Sequence, residues 1–373
     1  MGTRSDVGRI ERAVIMGAGL IGTSIALALR EHGTRVALSD PDSAALRLAC
    51  ELGAGEPLGE DAPARPADIA VVAAPPSAVP AVVRGAQDRG LAHVYTDAAS
   101  VKDGVVAAAE RAGCDMATFV PGHPMGGGER SGPSAARADL FLGRSWALCP
   151  TGKADPGAVA AVREVIRLCG ARPVPIDAAA HDRAVALVSH APHVAAAAVA
   201  ARLLEGDDTA LSLAGQGVRD VTRVAAGDPR LWWEILSNNA GPVAEVLEAA
   251  AADLAASAAA LRETAAEGAD STGRAPEAVG GLLERGVRGR DRVPGKHGGG
   301  RTPEYAVVPV LIPDEPNALG RLFLAAGESG VNIEDVRLDH SYGLPMGVAQ
   351  LSVTPDAAER LARVLRERGY SVH

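Results

Sequence analysis

The chain has 373 residues, of which 47% are hydrophobic and only 3% aromatic, and its formal net charge is −9. A chain of this length is too long to fold around one ordinary hydrophobic core, which predicts two or three domains. The acidic balance argues against a nucleic-acid or anionic-membrane partner, so an anionic substrate would need locally gathered Arg and His side chains.

Cysteine spacing and the amino-terminal segment bear on the compartment. The cysteines are far apart, with no C-x-x-C pair of the metal or redox type: Cys50, Cys114, Cys149 and Cys169. The first residues are polar and charged, unlike a signal peptide, and we expect no transmembrane helix because no run of 18 apolar residues follows. These features predict free thiols in a cytoplasmic protein.

Residues 1–177 form the first predicted domain. Short apolar runs alternate here with helical patterns, at residues 13–17, 35–40, 67–76, 93–100, 117–124, 145–150 and 172–177. Strands that alternate with helices predict an α/β domain of the Rossmann type, with a parallel, doubly wound sheet.

The first predicted strand runs into a dinucleotide-binding pattern. Gly17, Gly19 and Gly22 form G-x-G-x-x-G, and Leu20 and Ile21 open the following helix. The first glycine permits the tight turn, the second lets a pyrophosphate approach the backbone, and the third lets helix and strand pack closely. The helix amino terminus then faces the phosphates.

The end of the second predicted strand selects between two cofactors. This strand ends at Asp40, and no Arg directly follows it. A carboxylate at this place binds ribose hydroxyls and repels a 2′-phosphate, so we expect NAD rather than NADP.

Polar residues follow the strand at residues 93–97. Asp97, Ser100 and Lys102 lie where ligands bind in open α/β sheets, at the carboxyl end of a strand. A plain helix N-cap explains Ser100 equally well. Both interpretations stay open from the residues alone.

Residues 121–132 read PGHPMGGGERSG, which is too rich in Gly and Pro for a regular element. Pro124 excludes helical geometry for the preceding residue, so His123 is held in an extended conformation. A lone loop His is often merely solvated. The restrained backbone and the glycine clearance favour a functional role for His123.

Residues 178–268 show almost no strand signals and predict an all-helical second domain. His190 and His193 can face the same side of a helix, and Pro192 predicts a kink or a helix start. They could be core histidines or metal ligands, but a zinc site needs further ligands and only His181 is close. We predict no metal.

The segment GVRDVTR places Arg219 and Arg223 one helical turn apart, with Asp220 beside the first. A solvated, salt-bridged face would explain this pattern. Arg also binds carboxylates through two parallel hydrogen bonds, which makes Arg223 a candidate anchor for an anion. The long Ala, Leu and Val faces of this domain predict a homodimer.

The carboxyl-terminal part changes character twice. Residues 269–303 are rich in Gly and Arg with little periodicity, which predicts a linker or exposed loop. Residues 304–373 read as strand, helix, strand, strand, helix, strand, and predict a small α+β domain.

These motifs, in this order, resemble the prephenate dehydrogenase family of tyrosine biosynthesis over residues 12–260. The similar stretches are GAGLIGTSIALAL, TDAASVK, PGHPMGGGERSG, ADLFLGRSWALCP, HDRAVALVSHAPH and VRDVTRVAAGDPRLWWEI. The tail resembles an ACT domain, a βαββαβ regulatory module that binds amino acids, as in actinobacterial members.

The resemblance implies an NAD-dependent oxidative decarboxylation of prephenate to 4-hydroxyphenylpyruvate. Neutral His123 would accept or polarise the C4 hydroxyl proton, and Ser100 would orient His123 or that hydroxyl. Arg223 would anchor a substrate carboxylate. His193 would hold the other end of the substrate, with His190 supporting it.

The resemblance implies two more residue roles. Asp220 would orient His193, and Glu129 could favour the ammonium group of arogenate, so arogenate dehydrogenase stays open as an alternative. Family members often carry Thr where this chain has Gly128. An amino-deoxyprephenate dehydrogenase and a non-catalytic NAD and amino-acid sensor stay open as well.

The turn of the tail departs from the ACT pattern. Asn317 stands where many such domains have Gly. Asn tolerates left-handed backbone geometry, so the turn can form. An amino-acid effector at this turn is a hypothesis.

Overall fold

The structure, a computed structural model, describes residues 9–59, 65–127, 131–267, 275–293, 305–340 and 346–372. By contacts the chain divides into two units, Met1–Ala251 and Ala252–His373. Each unit contains its own sheets or helices and its own buried core.

A five-stranded parallel sheet organises the first unit. Its strands are β1 (Arg12–Met16), β2 (Arg35–Ser39), β3 (Glu56–Pro57), β4 (Ala67–Val72) and β5 (Ala92–Asp97). The spatial order is β3-β2-β1-β4-β5, and every neighbouring pair is parallel. The order reverses between β1 and β4, which opens a crevice at the carboxyl ends of the strands. This confirms the predicted Rossmann-type domain.

Helices cover this sheet and fill its core. They are α1 (Leu20–Glu31), α2 (Ser43–Glu51), α3 (Val79–Asp88) and α4 (Asp103–Arg111). Ile25 and Leu29 of α1 pack against the sheet with no exposed surface. Burying each such side chain contributes about 1.5–3 kcal/mol. The apolar face of α1 therefore holds the glycine loop that precedes it in place.

Among the described residues, the last three predicted strands touch the parallel sheet at one parallel bridge, between Tyr95 of β5 and Phe119, and otherwise lie outside it. They form a separate sheet of β6 (Gly122–Pro124), β7 (Ser145–Leu148) and β8 (Arg172–Pro175), with α5 (Pro156–Leu168) between the last two. β6 runs antiparallel to β7, and β7 runs parallel to β8. The prediction of one doubly wound parallel sheet through residue 177 is therefore wrong for this part. Apolar runs indicate strands, but they do not specify the direction of pairing.

The predicted helical region begins with one continuous helix of 28 residues, Ala178–Glu205. It consists of α6 (Ala178–Val185), a π-helical turn (Ala186–His190), α7 (Ala191–Arg202) and a final 3₁₀ turn. Pro192 lies in the first turn of α7 and has no N–H to donate to the preceding turn. The kink predicted at Pro192 thus takes the form of a π-helical turn, which is frequent at functional sites.

Four more helices of the described residues complete this region. They are α8 (Asp208–Ser212), α9 (Gln216–Thr222), α10 (Pro229–Ser237) and the long α11 (Ala240–Glu267), with a 3₁₀ turn (Arg223–Ala226) after α9. The 3₁₀ turn packs against α7, and α6 packs against α4. These contacts bring the helical region to the carboxyl end of the parallel sheet.

The helix Ala178–Glu205 is long and apolar enough to cross a membrane by length and composition. The sequence did not suggest this because His and Pro interrupt the apolar run. A core helix of a soluble protein passes the same test, and here the helix buries Asp182, His190 and His193. The helix therefore holds these three polar side chains inside the protein.

The second unit contains the predicted α+β tail. Its elements are β9 (Ala306–Pro313), α13 (Ala318–Glu328), β10 (Asp335–His340), β11 (Met346–Val353), α14 (Pro355–Glu367) and β12 (Ser371–Val372). The strands form an antiparallel sheet in the order β10-β11-β9-β12. The order of elements is the βαββαβ order that the sequence predicts.

The segment 269–303 contains a helix that the sequence did not predict. Helix α12 (Ala275–Arg290) forms despite several glycines, and Arg285 on α12 pairs with Asp253 on α11 at 2.6 Å. The exposed-loop alternative is therefore wrong for residues 275–290, and the linker interpretation stays a prediction. The domain boundaries themselves stay predictions.

The turn before α13 has the geometry expected of Asn317. Its φ is 67°, and among the described residues it is the one non-glycine with positive φ. A Cβ at Gly320 would lie 2.2 Å from Asn317 Oδ1, so the glycine leaves room for the amide. The turn therefore survives the exchange of Gly for Asn.

Candidate active site

The glycine loop between β1 and α1 is shaped by two close approaches. Gly17 has a φ of 113°, and its Cβ would lie 2.2 Å from the carbonyl oxygen of Ala73. A Cβ at Gly22 would lie 1.9 Å from the carbonyl oxygen of Gly17. Gly19 has nothing within 4 Å of its Cβ position. Gly17 and Gly22 therefore close the turn, and Gly19 faces open space.

The amino terminus of α1 is free of side-chain caps. Gly19 is the N-cap, and the first turn, which begins with Leu20 and Ile21, contains no acidic residue. The unpaired N–H groups and the positive end of the helix dipole suit an anion. A dinucleotide pyrophosphate therefore fits this cradle.

Asp40 braces the same loop from the end of β2. Its Oδ2 accepts the N–H of Ala18 at 2.6 Å, and its Oδ1 accepts the N–H of Asp42 at 2.7 Å. The carboxylate thus stands beside the glycine loop, where the sequence places the ribose. Its contact with ribose hydroxyls stays a prediction.

A fully buried ion pair lies at the carboxyl end of β5. Lys102 Nζ pairs with Asp97 Oδ2, and neither side chain is exposed. Asp97 also accepts the N–H groups of Ala99 at 3.0 Å and of Gly122 at 3.1 Å. Because Gly122 begins β6, the Asp97 carboxylate joins the two sheets directly beside His123.

The amino terminus of α4 is capped from another helix. The carboxylate of Asp182, on α6, accepts the N–H of Lys102 at 2.8 Å and that of Asp103 at 2.9 Å. Ser100 does not cap this helix, so its N-cap interpretation is wrong. Ser100 is half-buried at the end of β5, and within the described part of the chain it makes no hydrogen bond to His123.

His123 contacts His181 instead of Ser100. The distance between His123 Nδ1 and His181 Nε2 is 2.9 Å, and the two rings meet edge to face. His181 Nδ1 in turn lies 2.8 Å from Asp182 Oδ1. Burial, followed by the nearby His181, Lys102 and His190, holds the pKa of His123 well below its ordinary value. His123 is therefore a neutral imidazole at physiological pH.

His190 has a defined partner in Asn239, which lies between α10 and α11. Asn239 Nδ2 donates to the carbonyl oxygen of Asp182 at 2.8 Å and approaches His190 Nδ1 at 3.1 Å. The amide nitrogen can only donate, so His190 Nδ1 accepts and its proton sits on Nε2. Burial lowers the pKa of His190 to about 4, which keeps the ring neutral.

His193 stacks on Trp232. The ring centroids are 3.5 Å apart with an interplanar angle of 11°, and His190 meets the same indole edge to face. A Cβ at Gly227 would lie 2.2 Å from Trp232 Nε1 and 3.0 Å from His193 Cε1. The glycine therefore lets the indole reach the imidazole. Burial also lowers the pKa of His193.

The remaining predicted substrate residues lie toward the surface. Arg223 is exposed at the start of the 3₁₀ turn that packs against α7. Asp220 is exposed and accepts a hydrogen bond from Gln216 at 2.9 Å. The predicted contact between Asp220 and His193 is not formed: Asp220 pairs with Gln216, and His193 stacks on Trp232. Glu129 lies outside the described residues, as does Gly128.

Sequence reasoning missed several members of this cluster: His181 as a partner of His123, Asp182, Asn239 and Trp232. The sequence contains one usable signal, a His-Asp pair near the start of an otherwise alanine-rich helix. Among the residues that the structure describes, no group of three or more His, Cys, Asp or Glu could hold a metal ion.

Known proteins share this architecture. Residues 25–174 match the family described as prephenate dehydrogenase, nucleotide-binding domain, and residues 177–271 match prephenate dehydrogenase, dimerization domain. A probable prephenate dehydrogenase, NovF, of Streptomyces niveus is 42% identical over 360 residues, which are 95% of this chain and 98% of that protein. Prephenate dehydrogenase of Bacillus subtilis is 29% identical over 61% of this chain and 63% of its own length.

A solved structure of a prephenate dehydrogenase has a similar fold. The prephenate dehydrogenase of A. aeolicus, in complex with hydroxyphenyl propionate and NAD+, superposes with a TM-score of 0.65 at 25% identity. The match covers 76% of this chain and 98% of that one. On these matches, the chain belongs to the prephenate dehydrogenase family.

Proposed function

We propose that this chain is an NAD-dependent prephenate dehydrogenase, which converts prephenate to 4-hydroxyphenylpyruvate by oxidative decarboxylation. The observation that carries the proposal is the neutral imidazole of His123, held by a buried polar cluster at the same edge of the sheet as the glycine loop. β1, which leads into that loop, and β5, which ends at the cluster, flank β4 on either side. A cofactor bound by the glycine loop would therefore lie at the same sheet edge as His123.

The residues of the chain divide the chemistry between them. Bound NAD supplies the acceptor for the hydride from C4 of the substrate. As the C4–H bond breaks, His123 takes the proton of the C4 hydroxyl, and the electron pair of this O–H bond becomes the second C–O bond at C4. The electron pair of the bond to the ring carboxylate enters the ring as CO₂ leaves, and the phenol oxygen recovers its proton from His123. Aromaticity drives the step.

Recognition of the dianionic substrate requires a partner for each carboxylate. We assign Arg223 to one carboxylate and His193 to the other end of the substrate, because the turn that begins with Arg223 packs against the helix of His193. His190 supports this group through the shared indole of Trp232. Ser100 is assigned to the C4 hydroxyl.

The glycine cradle fits a dinucleotide. Gly19 faces open space at the uncapped amino terminus of α1, which is where the pyrophosphate would lie. Asp40 stands beside it and would bind the adenosine ribose. A carboxylate there repels a 2′-phosphate, so NAD is the cofactor.

Assembly and regulation follow the same family pattern. We assign the homodimer contact to the helical region, whose large apolar side chains are exposed at Leu187, Val188, Leu204, Leu213 and Trp233. The βαββαβ order of the tail and its Asn317 turn support an ACT-like module with an amino-acid effector. Four free cysteines support a cytoplasmic location.

The test is a turnover assay with purified protein. Reduced cofactor is followed with prephenate or arogenate as substrate and NAD or NADP as acceptor, and the fastest turnover is expected with prephenate and NAD. Absence of turnover with both substrates would overturn the proposal. Faster turnover of arogenate than of prephenate would identify arogenate as the substrate instead. Arg223→Ala should raise KM for prephenate about 10- to 100-fold, the value of a charged hydrogen bond.

A further inference from the structure

We propose that His181 and Asp182 are positioning residues that fix the tautomer of His123, so that its Nε2 presents a lone pair to the substrate hydroxyl. The proposal rests on the proposed function for what the lone pair does. The tautomer itself follows from the geometry. Three side chains form one line of contacts: Asp182 Oδ1 to His181 Nδ1 at 2.8 Å, and His181 Nε2 to His123 Nδ1 at 2.9 Å.

The first contact has one possible direction. An ionised carboxylate only accepts hydrogen bonds, so His181 Nδ1 must carry a proton. Both oxygens of Asp182 already act as acceptors at the positive end of α4, Oδ1 for the N–H of Lys102 and Oδ2 for that of Asp103. The carboxylate therefore has no proton to donate toward His181.

The second contact then follows. A neutral imidazole carries a single N–H, so a proton on Nδ1 of His181 leaves its Nε2 as an acceptor. His123 must donate from Nδ1 to fill this bond. The proton of His123 is thereby placed on Nδ1, and Nε2 is left unprotonated, which is the form that a base for the C4 hydroxyl needs.

The charges around His123 agree with this proton order. Burial, His181, Lys102 and His190 all disfavour a second proton on the ring, so His123 carries a single N–H and has a tautomer to fix. A doubly protonated His181 would reverse the second bond and put the His123 proton on Nε2. That arrangement adds a positive charge close to the buried Lys102, and it is the outcome that the experiment must exclude.

We call the line of contacts from Asp182 through His181 to His123 the relay. It is anchored at Asp182. Asp182 is held twice, by the backbone of α4 through its carboxylate and by Asn239 through its carbonyl oxygen. His181 and Asp182 are both almost fully buried. The orientation of His123, which lies on β6, is thus set by contacts with α6 and, through Asp182, with α4.

The direct test is ¹⁵N NMR of the histidine rings in the full-length protein labelled at histidine. His123 is assigned by the loss of its signals in His123→Asn. The expected spectrum shows protonated Nδ1 and unprotonated Nε2 for His123. A protonated Nε2 on His123 would overturn the relay. This readout needs no turnover, so it is independent of whether prephenate proves to be the substrate.

Kinetics of variants give the second test. His181→Gln keeps a carbonyl oxygen to accept from His123 Nδ1 and should retain kcat within about 10-fold, whereas His181→Leu should lower kcat about 100-fold or more with little change in KM for NAD. His93→Leu, at an exposed position on β5, is the matched control and should leave kcat unchanged. Equal loss of kcat in the Gln and Leu variants, with both folded, would contradict the relay.

Discussion

Replacing Lys102 by Met tests how strongly the buried ion pair holds the active-site edge of the sheet. The substitution keeps the apolar stem and leaves the Asp97 carboxylate buried without its counter-charge. Removing one partner of such a pair costs about 3–5 kcal/mol. Asp97 retains two backbone N–H groups, at 3.0 and 3.1 Å, so we expect the lower end, about 3 kcal/mol. That is a large part of a typical unfolding free energy of about 5–15 kcal/mol.

Fluorescence-detected urea unfolding measures this loss in the right part of the chain. All three tryptophans, at positions 146, 232 and 233, lie in the first unit, so their signal reports its unfolding. Lys153→Met is the control, because Lys153 pairs with Glu110 on the surface at 3.0 Å and should cost less than about 1 kcal/mol.

A double variant isolates the cause of the loss. Asp97→Asn combined with Lys102→Met removes both charges and should recover at least half of the stability lost in Lys102→Met, since the penalty comes from the unpaired charge. If Lys102→Met costs no more than Lys153→Met, the buried pair does not hold this edge and the reasoning is refuted.

Three further predictions concern catalysis, cofactor binding and pH. His123→Asn should lower kcat about 100-fold or more while the Kd for NAD, measured by titration, stays unchanged; kcat within about 3-fold of wild type would remove His123 as the base. Gly22→Ala places a Cβ 1.9 Å from Gly17 O and should lower both Tm and the affinity for NAD. Gly19→Ala, with nothing within 4 Å of its Cβ position, should lower the affinity for NAD and leave Tm unchanged. Equal Tm values for the two variants would contradict the packing role of Gly22. Acidification from pH 6.5 to about 4 should destabilise the fold, because the pKa of His190 is lowered from 6.5 to about 4 and the unfolded chain therefore binds a proton first; a flat unfolding free energy over this range would contradict it.

Features set by neighbouring residues could be predicted from the sequence. The glycine loop depends on a spacing of a few residues, and the structure gives Gly17 a positive φ and Gly22 a close approach. Asn317 adopts the left-handed geometry that its side chain tolerates. Pro192 removes a helical N–H and distorts the helix next to it. In each case the cause and its effect lie within a few positions of the chain.

Contacts between distant segments could not be predicted. The cap of α4 comes from Asp182, which lies 80 positions after Lys102, whereas the local pattern indicates only Ser100 as a cap. The partner of His123 lies 58 positions away in His181. The pairing direction of β6 likewise depends on how β7 returns to it. Tertiary packing sets all three, and no local pattern reports it.

The buried cluster makes the position of the His123 imidazole depend on how the helical region packs. Asp182 ties α6 to α4 through backbone N–H groups, and Asn239 ties the start of α11 to α6 through a backbone carbonyl. Because each of these hydrogen bonds has a backbone atom at one end, a shift of either helix moves Asp182 and with it the line of contacts to His123. Changes in the packing of α6 should therefore reach kcat through the imidazole, even where they touch neither the cofactor loop nor the substrate.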